Sequence, residues 1–136
     1  MAGIGSEFTL RLLKDAGLTA GMRVLDVGCG SGDVALIARD LVGEAGEVIG
    51  IDRAEAPLEA ARVRAREQGF ENVSFSRCDI GEVSDTLGTF DAIIGRRVLM
   101  YQPDSMAAVA KLAHLLRPGG LVAFQEHDTR GTPALS

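Results

Sequence analysis

Val24-Leu25-Asp26-Val27-Gly28-Cys29-Gly30-Ser31-Gly32-Asp33 is the stretch whose reading decides the fold. A short β-branched run stops at three alternating glycines. A helical pattern starts directly after them, with Val34, Ile37, Ala38 and Leu41 spaced along one face and Gly43 as a stop. That order reads as strand, tight turn, helix. Glycine tolerates positive φ and has no Cβ, so a ligand can lie against the backbone of such a turn. The helix that follows presents unpaired N–H groups at its start.

The same rhythm continues outward. Val48-Ile49-Gly50-Ile51, Val73-Ser74-Phe75, Phe90-Asp91-Ala92-Ile93-Ile94 and Leu121-Val122-Ala123-Phe124 read as further strands. Between them lie apolar stripes at Leu58, Ala61 and Ala65, with Pro57 in the first turn and Gly69 at the end, and at Met106, Val109, Ala110, Ala113 and Leu116, stopped by Pro118-Gly119-Gly120. Phe8, Leu12, Leu13 and Ala16 predict a leading amphipathic helix closed by Gly17. The link from Ile80 to Thr89 has room for one turn at most. Strands alternating with helices predict a parallel sheet with right-handed crossovers, covered on both faces. Ligands then bind beyond the carboxyl ends of the strands, so the polar residues found there are the functional candidates.

Composition bounds the function. The 136 residues suffice for one domain, and 46% apolar with 24% charged residues is ordinary globular usage. A net charge of −5 argues against general phosphate-tracking nucleic-acid binding. No apolar run is long enough to span a bilayer, and no secretory leader pattern opens the sequence. Two cysteines, Cys29 and Cys78, lie far apart without metal-ligand spacing, so reduced thiols in a cytoplasmic protein are the simpler reading and no metal site is expected.

The strand ends narrow the ligand. A dinucleotide fingerprint starting at Gly28 needs glycine at position 33, where Asp33 stands, and a carboxylate there repels a pyrophosphate. A P-loop needs a lysine, and none occurs between Lys14 and Lys111. Acids at Asp26 and Asp33 suit an ammonium or sulfonium instead. Asp52, about 20 residues beyond the glycines, is placed to accept hydrogen bonds from ribose hydroxyls. Asp79 with the apolar Ile80 can meet an adenine edge, although alone Asp79 reads equally as a turn aspartate. Glu126-His127-Asp128 follows the fifth strand; His127 is a candidate general base, with a solvated loop histidine as the competing reading. Arg96 and Arg97 could meet an anionic substrate or simply carry surface charge. His114 is placed in the last turn of a helix, and Glu55, Glu59, Arg62 and Arg66 read as a solvated face.

Val24 to Gly32 closely resembles the first motif of class I S-adenosylmethionine-dependent methyltransferases. Ile49-Gly50-Ile51-Asp52, Cys78-Asp79-Ile80 and Phe90-Asp91-Ala92-Ile93-Ile94 resemble their next three motifs, and Leu116-Arg117-Pro118-Gly119-Gly120-Leu121 the approach to strand five. The resemblance runs in order from about Leu12 to Phe124. It implies a Rossmann-like doubly wound α/β sheet of about five parallel strands in the order 3-2-1-4-5. It implies S-adenosyl-L-methionine as cofactor, with Asp26, Gly28 and Gly30 bordering the methionine moiety, Asp52 on the ribose, Arg53 flanking the adenine, Asp79 and Ile80 on its edge, and the Arg96 carbonyl near the methionine end. The leading helix would serve as a lid. Methyl transfer would proceed by in-line displacement to a small-molecule acceptor, which needs alignment more than a catalytic triad.

The sequence departs from that family after strand five, where an antiparallel hairpin is expected and Ser136 ends the chain. The expectation is a single domain over residues 1–136, truncated at its C-terminus, with pairing of two copies along the exposed strand-five edge as an alternative. Gly95 to Asp104 lacks the Asn/Asp-Pro-Pro-Tyr/Phe signature associated with amino-group methylation. Two other functions stay open at this stage. One is a module that binds S-adenosylmethionine or its demethylated product without turnover. The other is a fragment of a nicotinamide dehydrogenase.

Overall fold

The computed structural model describes residues 4–83, 85–96 and 105–125. Five strands, β1 (Arg23–Val27), β2 (Glu47–Asp52), β3 (Val73–Arg77), β4 (Phe90–Arg96) and β5 (Leu116–Gln125), form one parallel sheet in the order β3-β2-β1-β4-β5. The expected fold class and strand order are what is found.

Helices α1 (Ile4–Ala16), α2 (Asp33–Val42), α3 (Glu55–Glu67) and α4 (Ser105–Ala113) connect and cover the strands. Side chains alternate across a strand, so β1 sends Val24 to one core and Leu25 and Val27 to the other. The first core joins Val24, Val48, Phe75 and Ile94 to Leu13 and Leu18, to Ala35 and Ala38 of α2, and to Leu58, Ala61 and Ala65 of α3. The second joins Leu25, Ile51, Phe90 and Ile93 to Ala108 and Leu112 of α4, and to Ile80. Each fully buried aliphatic side chain contributes about 1.5–3 kcal/mol by leaving water. Gly43 ends α2 at φ 70°, its N–H donating to the Arg39 carbonyl.

Three local expectations need correction. The last helix stops at Ala113, and Leu116 belongs to β5. The Phe90 N–H donates to the Leu115 carbonyl and Phe90 pairs with Leu116, so sheet pairing overrides the helical stripe. Ala92 then pairs with Leu121, and the residues between Leu116 and Leu121, with Pro118 and Gly119 (φ 79°), form a bulge. His114 accordingly sits in the turn after α4, its N–H on the Lys111 carbonyl. Third, the link after β3 holds two 3-10 turns, Ile80–Glu82 and Asp85–Leu87, rather than one.

Candidate cofactor site at the carboxyl rim of the sheet

The parallel sheet brings the ends of β1, β2 and β3 side by side, and main-chain hydrogen bonds stitch them together. The Cys29 N–H donates to the Ile51 carbonyl at 2.9 Å, and the Cys78 N–H to the Asp52 carbonyl at 2.8 Å. Asp52 ties the rim further: its Oδ2 accepts from the Gly30 N–H and its Oδ1 from the Ala54 N–H, both at 2.9 Å. Each carboxylate oxygen has a second lone pair, so Asp52 keeps acceptor capacity toward a ligand while fixing the loop.

The glycine loop spends three of its main-chain donors within the protein. Besides Cys29 and Gly30, the Gly32 N–H is spent on the Cys29 carbonyl at 3.0 Å. Its outer side is open: Gly28 is exposed at φ 67°, and a Cβ on Gly30 (φ 55°) would meet nothing within 4 Å. A pyrophosphate needs outward N–H groups at a positive helix end. Here three N–H groups of the loop, those of Cys29, Gly30 and Gly32, are spent within the protein, and Asp33 places a carboxylate at the start of α2, both of which work against a pyrophosphate.

Asp26 is buried in β1 at 1% exposure, opposite Gly50 of β2 and Ile94 of β4. Gly50 is required there. A Cβ would come within 2.7 Å of Phe75 Cδ1 and 2.9 Å of Cys29 Sγ, distances no real side chain tolerates.

The two thiols report the field at the rim. Burial pushes the Cys29 thiol above its ordinary pKa, and the negative charges of Asp26 and Asp52 push it further. Cys78 is raised too, by burial first and then by Glu82 and Asp79. Both cysteines are free, and both stay protonated at neutral pH, so they are poor nucleophiles. Carboxylates thus act on the cysteine at either side of β2, with burial the larger cause at both.

Of the residues expected in the site, Gly28, Gly30, Asp52, Arg53 and Asp79 stand at the rim of the three strands, and Asp26 lies one residue inside the end of β1, buried. Ile80 buries its side chain in the second core, leaving its main chain for the rim. Arg53 is exposed, and its carbonyl accepts from Arg77 Nε at 3.3 Å. Arg96 closes β4, in register with Gln125. His127 and Arg97 lie outside the described residues.

Asp33 behaves differently from expectation. Its carboxylate is paired with Arg64 Nη1 at 2.6 Å, so its charge is compensated from α3 rather than offered to a ligand. Arg62 is also more than part of a solvated face. It donates through Nε and Nη2 to the Phe75 carbonyl and pairs with Glu55. Sequence reasoning missed Arg64 altogether, because its partners are some thirty residues away.

Among the described residues no group of three or more His, Cys, Asp or Glu side chains is placed to hold a metal ion. No helix among them is long and apolar enough to cross a membrane. An open depression of about 490 Å³ lies on α1, lined by Glu7, Leu10, Arg11, Lys14 and Asp15, and includes no rim residue.

Fold and rim together define a Rossmann-like α/β cofactor-binding domain. Comparison with known proteins gives the family. A profile described as "Methyltransferase domain" matches residues 18–134. The aklanonic acid methyltransferase DauC of Streptomyces sp. (strain C5) is 37% identical over 114 residues, covering 84% of this chain and 52% of that protein. A ubiquinone biosynthesis O-methyltransferase of Nitrosococcus oceani is 35% identical over 116 residues, covering 85% and 48%. A SAM-dependent methyltransferase from Aquifex aeolicus superposes with a TM-score of 0.79 at 27% identity, covering 92% of this chain and 69% of that one. The chain belongs to the methyltransferase-domain family, among the class I enzymes that use S-adenosyl-L-methionine. It spans about half the length of the curated relatives it matches.

Proposed function

We propose that this chain supplies the cofactor-binding half of an S-adenosylmethionine-dependent methyltransferase acting on a small molecule. One observation carries the reading: the Cys29, Gly30 and Gly32 N–H groups of the glycine loop are spent within the protein, while Asp26 in β1, Asp52 at the end of β2 and Asp79 just past β3 supply carboxylates around it. That arrangement suits a cationic adenosyl ligand and opposes a pyrophosphate, which disfavours a nicotinamide dinucleotide. The relatives' names, one an aklanonic acid methyltransferase and one an O-methyltransferase, support a small-molecule acceptor with an oxygen nucleophile.

The residues present fit the cofactor. Gly28 and Gly30 offer an open, side-chain-free cradle. Asp26 lies beside it as the group to meet the ammonium. Asp52 has spare lone pairs for the ribose hydroxyls. Asp79 and the Ile80 main chain meet the adenine edge, Arg53 flanks it, and the Arg96 carbonyl borders the methionine end. When bound, S-adenosylmethionine supplies a methyl group on a sulfonium, already electrophilic. The protein's task is then to hold the acceptor in line and exclude water, worth about 7–11 kcal/mol where alignment is good. His127 is the proposed base for the acceptor's proton. The free thiols suit a reducing compartment such as the cytoplasm.

Self-association is a further part of the proposal. β5 is an edge strand, residues 121–125 carry no charge, and Val122 is exposed. Such an edge pairs readily with a second copy. Sedimentation that stays monomeric at every concentration rules this out.

Calorimetry with S-adenosylhomocysteine and, separately, NAD tests the cofactor. Saturable binding of the first and none of the second is expected; the reverse overturns the assignment. Methyl release from labelled S-adenosylmethionine over a panel of phenols, enols and carboxylic acids then tests turnover.

A further inference from the structure

We propose that Arg64 is a positioning residue for the cofactor site, holding the glycine loop in its open shape from behind. This rests on the cofactor reading above and extends it to the second half of α3, more than two turns beyond the rim end of that helix. Arg64 Nη1 donates to two acceptors, the Ser31 carbonyl at 2.9 Å and Asp33 Oδ1 at 2.6 Å. One is the last loop residue before Gly32, the other the first residue of α2. A single guanidinium nitrogen therefore spans the junction where loop becomes helix.

A second contact from the same helix acts on the same junction. Ala61, one turn before Arg64, is fully buried, and a Cβ on Gly32 would meet the Ala61 Cβ at 3.1 Å and Phe75 Cζ at 3.3 Å. Residues three apart share a helix face, so Ala61 seats the junction and Arg64 latches it. Gly32 itself lies at φ 93°, without a side-chain cap to fix the start of α2. The latch supplies from outside what the helix start lacks.

Two consequences follow for the ligand. The Ser31 carbonyl is held toward α3, so the loop cannot peel from β2 without breaking a charge-assisted bond. The Asp33 charge is compensated, so the acids left to act on the cofactor are those at the strand ends. A preorganised loop binds more tightly because less freedom is lost on binding.

The test compares wild-type chain, Arg64→Ala, Arg64→Lys and Asp33→Asn. Each is measured for S-adenosylhomocysteine affinity by calorimetry, for melting temperature without ligand, and for hydrogen exchange of the amides from Ser31 to Leu36. Arg64→Ala is expected to bind roughly tenfold more weakly, with faster exchange confined to that segment and a melting temperature close to wild type. Arg64→Lys, which keeps the charge and one donor, should recover part of the affinity. Asp33→Asn should change it less than Arg64→Ala does, since the Ser31 bond survives. Wild-type affinity in Arg64→Ala overturns the latch and leaves the cofactor reading standing. So does a fall in affinity matched by a global loss of melting temperature and of protection. Absence of binding by the wild-type chain overturns the cofactor reading and the latch with it.

Discussion

The two ends of the sheet hold the carboxylates at their strand termini in different ways. At the amino end, cations and anions are matched. Arg23, which opens β1, pairs through Nε with Glu47 at the start of β2 and donates to the Thr89 and Leu87 carbonyls. Its N–H donates to Asp91 Oδ2, and its guanidinium lies 4.2 Å from the Phe90 ring centroid. Arg117 holds the other Asp91 oxygen. Nearby, Arg39 bonds Asn72, which in turn satisfies the Gly43 and Gly46 carbonyls. At the carboxyl end, the partners of Asp52 among the described residues are main-chain N–H groups, not cations. Compensated charge bolts strands together; charge held in place by the backbone keeps a field that a ligand can use.

Mutations on each side should separate these roles. Asp52→Ala removes both the loop latch on Gly30 and the acceptor for the ribose. It should weaken S-adenosylhomocysteine binding by roughly 1–3 kcal/mol, while the melting temperature changes little. Calorimetry and a thermal melt decide it; unchanged affinity would take Asp52 out of the site. Arg23→Ala should do the reverse at the amino end. It leaves the Glu47 carboxylate and the Leu87 and Thr89 carbonyls without their donor, and should cost roughly 1–2 kcal/mol of unfolding free energy. Cofactor affinity should hold. A large affinity loss in Arg23→Ala would mean that the two rims are coupled through the strands, and the contrast would fail.

The strands and their rims were legible for a simple reason. Buried parallel strands are short apolar runs bounded by glycine, and the polar residue just past each run must lie at the rim. Asp52 at the end of β2 and Asp79 just past β3 follow that rule, whereas Asp26 lies inside its run and is buried in β1. Long-range partners were not legible. Asp33 looked like a site acid because spacing cannot show that α3 returns to place Arg64 on it. Arg62 looked solvated because its acceptor, the Phe75 carbonyl, belongs to the next strand. Leu116 fits a helical stripe perfectly well; only the pairing of Phe90 with Leu116 takes it into the sheet. Asp52 was read for its ligand side alone, since a spacing of about 20 residues says nothing of the Gly30 N–H that it also holds.

The smallest effect is expected from Asp91, and it is read best against pH. The Arg23 main-chain N–H, then the Arg117 side chain, hold the Asp91 carboxyl below its ordinary value. A carboxylate depressed in the folded state adds stability above its unfolded pKa, near 3.9. That contribution is lost as pH falls through the lower, folded value. Asp91→Asn removes the titration, so unfolding free energy should fall by less than about 1 kcal/mol at neutral pH, and the gap to wild type should narrow as pH drops below about 4. Denaturant melts at neutral and acid pH measure this directly. A gap that stayed constant with pH would show that Asp91 acts as a neutral acceptor and that its charge adds nothing to the amino-end network. The same titration read on S-adenosylhomocysteine affinity should show no difference between Asp91→Asn and wild type, since Asp91 at the start of β4 is held by Arg23 and Arg117 at the amino end of the sheet. A difference there would join the two ends of the sheet that the ion pairs keep apart.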